Sequence, residues 1–154
     1  MAKNRKSIPI IDVAELLKNR ASPDLLKSFY EAYNQLGFGY IINHGIDPAL
    51  IEKVFDASNR FHAMHLSEKM KVALDHKHRG YIAINTSTDV NSKLETIKKP
   101  NQSASFMTMR EDKIEDPKIY LSGPNQWPEL ENFRAVIEEY TTKLEELANN
   151  LLRA

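Results

Sequence analysis

The chemistry this chain could carry is concentrated between His62 and His78. Four of its five histidines, His62, His65, His76 and His78, fall in the stretch HAMHLSEKMKVALDHKH. His62 and His65 are three apart, so on a helix they project from one side, and two imidazoles so placed could share a metal. A site still needs a third protein ligand, a carboxylate or another histidine. Glu68 qualifies only if the helix continues through Leu66 and Ser67, and Asp75 or His76 would have to fold back. The plainer reading puts His62 and His65 at the margin of an apolar face, each hydrogen-bonded through one ring nitrogen. Histidines that cluster without a second convergent element are weak evidence for a metal. His76 and His78 flank Lys77 and in an extended segment would share a face. Lys77 and Arg79 beside them oppose a cation, so a solvated basic turn is the preferred reading.

Other reactive patterns are scarce. The chain contains no G-x-x-x-x-G-K, G-x-G-x-x-G or G-x-S-x-G sequence, so neither a phosphate cradle nor a nucleophile elbow is evident. It has no cysteine, which excludes disulfides, thiolate metal sites and a cysteine nucleophile. Glu138, Glu139, Glu145 and Glu146 fall mostly off the apolar stripe of the last helix and read as a solvated face. Trp127, set between prolines, reads as a packing plug, with ligand stacking as the alternative.

The elements that must position these residues are set by periodicity and caps. With 154 residues the chain is long enough for one domain with a core. Twenty-one basic and 21 acidic residues cancel, so no basic excess points to nucleic acid. No apolar run approaches the ~20 residues that cross a bilayer, and no signal peptide is apparent, which makes a cytoplasmic location the expectation. Residues 1–7 are expected to be a basic arm. Ile8 to Val13 predicts a strand, with Pro9 favouring an edge, and Asp12 a cap for the brief helix AELLKNR. Ser22 caps a helix that Pro23 opens and Gly37 stops. FGYIIN predicts a strand covered on both faces. Asp47 and Pro48 start a helix carrying Leu50, Ile51, Val54, Phe55, Ser58, Phe61, His62 and His65 on one side, and Ser67 caps the next, SEKMKVAL. RGYIAI and SFMTM predict two more strands. Between them, from Asn85 to Ser105, lies a long polar loop with a helical option from Asn91 to Ile97. The last helix is expected from about Glu129, with Phe133, Ile137, Tyr140, Leu144, Leu147 and Leu151 stepping by four and three. It shows no stop signal before Ala154, so something is expected after or beside it.

Taken in order, IPIIDV, FGYIINHGI, FHAMHLSEKMK, RGYIA and GPNQWPEL before a long helix resemble the N-terminal region of the isopenicillin N synthase-like Fe(II)/2-oxoglutarate-dependent oxygenases. The resemblance runs from about Ile8 to the end, and Asn43-His44-Gly45-Ile46 and Gly123-Pro124-Asn125-Gln126-Trp127-Pro128 are its more specific parts. One departure is that many relatives carry K-E-x-F where Pro100 to Phe106 here reads PNQSASF. The resemblance implies an α+β, helix-rich N-terminal region with three or four short strands, lacking most of the double-stranded β-helix core, over residues 8–154. It implies that the iron ligands, H-x-D/E and a distant histidine, and the 2-oxoglutarate arginine lie after the terminal helix. Neither H-x-D nor H-x-E occurs here: His44 to Asp47 and His65 to Glu68 have the wrong spacing. Fe(II) and 2-oxoglutarate are thus expected for a full-length member, and no metal or cofactor for this chain alone, which would be catalytically inert. Arg79, Tyr81 and Phe106 are candidates to line the substrate pocket, with packing the stronger expectation for Tyr81. The partner would be the missing β-helix core. The alternative is a stand-alone interaction module pairing with a self-copy through the apolar face from Phe133 to Leu151. A third reading, an independent metalloprotein, rests on His62 and His65.

Overall fold

The computed structural model describes residues 7–87 and 99–153. The basic arm apart from Ser7, most of the polar loop after Asn85 and the helical option from Asn91 to Ile97 lie outside the described residues. In order, the elements are β1 (Ile10–Asp12), a 3-10 turn (Leu16–Lys18), α1 (Pro23–Gln35), β2 (Tyr40–Ile42), α2 (Pro48–Ala63), α3 (Leu66–Met70), β3 (Gly80–Ile82), β4 (Ser105–Met107) and α4 (Phe133–Leu152). The region is helix-rich, with few short strands and no barrel among the described residues. No described helix is long and apolar enough to cross a membrane. The chain divides into two compact units, Met1–Val54 with Val136–Ala154, and Phe55–Ala135.

In the first unit β1 and β2 pair in parallel, Ile10 opposite Tyr40 and Asp12 opposite Ile42. Side chains alternate across a strand, so Ile11 faces inward and is buried while its neighbours do not. Ile11, Val13, Leu16, Leu25 and Ala32 form one core cluster, and Phe29, Ile41 and Leu151 pack on it. Ile46, Leu50 and Leu147 form another, joined by Val136, Tyr140 and Leu151. Much of the α4 stripe is thereby used inside this unit. The expectation that FGYIIN is covered on both faces does not hold for the unit by itself: Tyr40 is 60% and Ile42 45% exposed. A two-stranded sheet with α1 on one side leaves its second face without a layer of helices.

Local caps explain most boundaries. The Ser22 hydroxyl accepts from Leu25 N at 3.2 Å, and Pro23 occupies the first helical position. Asp12 Oδ1 accepts from Ala14 N, but the segment after it forms only one 3-10 turn, closed by Asn19 in the left-handed region. At α3 the cap is His65, not Ser67: its Nδ1 accepts from Ser67 N at 3.3 Å. The last helix begins at Phe133 and not near Glu129, because Asn132 has φ 60° and interrupts the helical backbone.

Candidate functional site

The motif residues of the second unit meet around a short antiparallel pair. β3 and β4 align Tyr81 with Phe106 and Gly80 with Met107. Tyr81 and Phe106 both reach Phe61 of α2, with ring centroids at 5.7 and 4.9 Å. Phe133 lies 5.3 Å from Phe61 and 5.2 Å from Phe106, and Trp127 closes the group at 6.3 Å from Phe106. The edge-to-face geometry of the Phe61–Tyr81, Phe61–Phe106 and Phe106–Phe133 contacts matches the quadrupoles of the rings. Phe61 has no exposed surface, and Tyr81 is only 4% exposed. Trp127 is thus a packing plug in an aromatic hub; its indole N–H is buried without a described acceptor. Arg134 stands over the indole face, at 5.4 Å.

Two loop amides hold this hub to the strands. Gln126 Nε2 donates to the carbonyls of Ala73 at 2.9 Å and Arg79 at 2.8 Å. Asn125 accepts from Met109 N at 2.9 Å and donates to Met109 O at 2.8 Å. The amide side chains thus act as substitute backbone partners just before β3 and just after β4. Gly80 fits because a Cβ there would stand 2.4 Å from Val72 O, at φ 112°. Sequence reasoning singled out G-P-N-Q-W-P as a fixed loop but missed the roles of Asn125 and Gln126. The available signal was two amides held between prolines, residues able to imitate a backbone partner.

The three residues nominated as pocket-lining are only partly brought together. Tyr81 and Phe106 are paired across the strands. The Arg79 side chain is 1% exposed. Its guanidinium donates to Lys77 O at 3.2 Å and Arg110 O at 3.0 Å, while Nε has no described partner. It ties the turn after Asp75 to the segment after β4.

The histidines are dispersed into separate local tasks. His62 is half-buried, edge-on to Phe61 at 5.3 Å. Burial, and secondarily the Lys69 ammonium, hold its pKa below the ordinary imidazole value. His65 caps α3, and His44 Nδ1 accepts from Ile46 N at 3.1 Å. His76 and His78 sit in a turn, not the extended segment considered from sequence. Asp75 Oδ1 accepts from Lys77 N and Arg79 N there, and His78 has φ 59°. Lys77 also pairs with Glu115, whose carboxyl that hydrogen bond and charge keep below the usual range. Among the described residues no three histidine, aspartate or glutamate side chains converge on a point where a metal could sit. These donors therefore do not fit Fe(II).

Comparison with known proteins accounts for the motif order. Residues 8–130 match the family model described as non-haem dioxygenase in morphine synthesis N-terminal. A homoarginine-6-hydroxylase of Arabidopsis thaliana is 29% identical over 170 residues, covering 99% of this chain and 48% of the relative. The 2-oxoglutarate-dependent dioxygenase tropC of Talaromyces stipitatus is 29% identical, covering 95% of this chain and 47% of its own length. Among solved structures, a putative 2OG-Fe(II) oxygenase family protein from Caulobacter crescentus superposes with a TM-score of 0.75 at 17% identity, over 95% of this chain and 46% of that one. A Neurospora crassa protein solved in complex with alpha-KG and 5-formyluracil gives 0.70 at 23% identity, over 99% and 44%. The chain spans about half the length of the curated relatives it matches, 48% and 47% of the two above. With residues 8–130 matched and the same fold in both solved structures, the chain belongs to the family of non-haem dioxygenase N-terminal regions.

Proposed function

We propose that this chain is the N-terminal scaffold of a non-haem Fe(II)/2-oxoglutarate-dependent oxygenase. It supports the core and backs one wall of the substrate pocket, and the iron and 2-oxoglutarate ligands come from outside it. The observation that carries this reading is the use made of the motif residues. Arg79, Gln126, Asn125 and Trp127 are consumed in binding one segment of the unit to another. In this reading Arg79 and Tyr81 stiffen the wall from behind, and the half-buried Phe106 is the residue nearest to a lining role. The natural partner is then a catalytic half bearing the iron ligands. Anaerobic Fe(II) titration of the purified chain, with 2-oxoglutarate present, tests the absence of a metal site, and an aerobic assay tests turnover. No stoichiometric tight site and no 2-oxoglutarate consumption are expected, and tight one-to-one binding or turnover overturns the reading.

A second reading, a module that pairs with its own copy through α4, is favoured by one observation. Leu144 and Leu152 remain exposed on a helix whose Phe133 and Leu147 are buried. Sedimentation separates the two: a dimer dissolved by Leu144→Lys supports self-pairing, and a monomer at all concentrations supports the scaffold.

A further inference from the structure

The first unit contains an open cavity of about 290 Å³ lined by Leu16, Asn19, Arg20, Ala21, Asn150 and Arg153. Its chemistry is unlike that of the two apolar clusters beside it. Two arginines and two asparagines line it beside the buried Leu16. Among the described residues neither Arg20 nor Arg153 is in an ion pair. Glu15, next to Leu16 in sequence, is committed elsewhere: its Oε1 accepts from Ser22 N at 3.1 Å and Ser22 Oγ at 2.5 Å. Those two hydrogen bonds, ahead of the Arg20 charge, hold its carboxyl below the usual range.

The backbone on both sides is fixed. Asn19 N donates to Leu16 O at 3.0 Å and Arg20 N to Glu15 O at 3.1 Å, with Asn19 left-handed at φ 52°. Asn150 is in the last turn of α4, and Arg153 directly follows the helix. Leu151 between them packs on the Leu16 cluster, which holds that end of α4 against the turn. Two like charges lining one cavity favour an anion between them. A guanidinium fork matches the edge of a carboxylate or phosphate, and apolar surface beside it focuses the field on whatever binds.

We propose that this cavity binds a small oxyanion, a carboxylate or phosphate group, held between Arg20 and Arg153, with Asn19 and Asn150 supplying amide hydrogen bonds. The volume sits at the lower end of small-molecule sites, about 300–1,000 Å³, which suits inorganic phosphate or a short organic acid and not a nucleotide. The site is separate from the 2-oxoglutarate arginine that the resemblance places beyond the terminal helix, and it stands whether or not the scaffold reading does.

The test is an amide chemical-shift titration of the full chain with sodium phosphate and with sodium malonate, each against sodium chloride at matched ionic strength. Saturable shifts confined to residues 16–21 and 150–153 are expected, and the tighter of the two salts tells a phosphate site from a carboxylate site. Arg20→Gln and Arg153→Gln should each weaken binding by about tenfold. Protection of Arg20 and Arg153 from phenylglyoxal by the tighter salt, read by peptide mass, tests the same site without a substitution. Shifts that never saturate, an equal response to chloride, unchanged affinity in both variants or absence of protection overturns the proposal.

Discussion

The two units of this chain are stabilised in different ways. The first is aliphatic: Ile11, Val13, Leu16 and Leu25 in one cluster, Ile46, Leu50 and Leu147 in the other, with Leu25, Leu50 and Leu147 supplied by helices α1, α2 and α4. Among its described residues the second has little regular structure beyond β3, β4, α3, the end of α2 and the first turn of α4. It is organised by an aromatic hub on Phe61 and by side chains that imitate backbone partners. Regular helices satisfy their own hydrogen bonds, so their burial can rest on interchangeable aliphatic contacts. Irregular segments cannot, and each buried carbonyl there needs a designated donor. The second unit should therefore fail at single residues, and the first should yield gradually.

The largest expected effect is at the hub. Phe61→Ala removes a ring with no exposed surface from contact with four aromatic neighbours and should cost about 3–5 kcal/mol. Amide hydrogen exchange should show protection lost across residues 55–87 and 99–135 while α1 keeps its own. Equal loss in both units would break the contrast. Arg79→Met comes next. It preserves bulk but leaves the Lys77 and Arg110 carbonyls without their donor, at about 1–3 kcal/mol in denaturant unfolding. A neutral result would mean that burying the guanidinium already offsets what its hydrogen bonds contribute.

In the first unit Ser22→Ala should cost about 1 kcal/mol, the usual worth of an N-cap. The loss should fall on α1 and leave the Phe61 rings undisturbed, as near-ultraviolet circular dichroism would show. The smallest effect is one of pH. Because the folded state holds His62 below its ordinary pKa, the unfolded chain binds more protons as the pH falls. The contribution is fully present above about 6.5 and is lost on going below it. His62→Gln should flatten the stability curve below about pH 6.5 relative to the parent. A curve of unchanged slope would show that another group sets it.

How much of this could be read from the residues differs between the two units for the same reason. In the first, Ser22, Pro23, Gly37, Asp47 and Pro48 mark helix ends through contacts no more than a few residues long. The helices they predict agree with α1 and with the start of α2. In the second, His65 displaced Ser67 as a cap, and Asn132 delayed the last helix by a left-handed residue. The first unit has its own exception, the exposed outer face of β2, which was expected to be covered. An apolar run is equally compatible with a doubly covered strand and with one face awaiting a partner, and only the surroundings distinguish them.

By itself the sequence determined the ends of α1, the start of α2, the apolar stripe of α4 and the order of motifs that places the chain in its family. Caps and stripes are local: each is decided by residues within one or two turns of each other. Tertiary structure alone decided what the motif side chains do. Arg79 finds its acceptor at Arg110, 31 residues away, and Gln126 reaches Ala73, 53 residues away. Arg20 and Arg153 come to line one cavity although most of the chain lies between them. A buried donor takes whichever acceptor the fold brings within hydrogen-bond distance, and no periodicity along the chain encodes that choice.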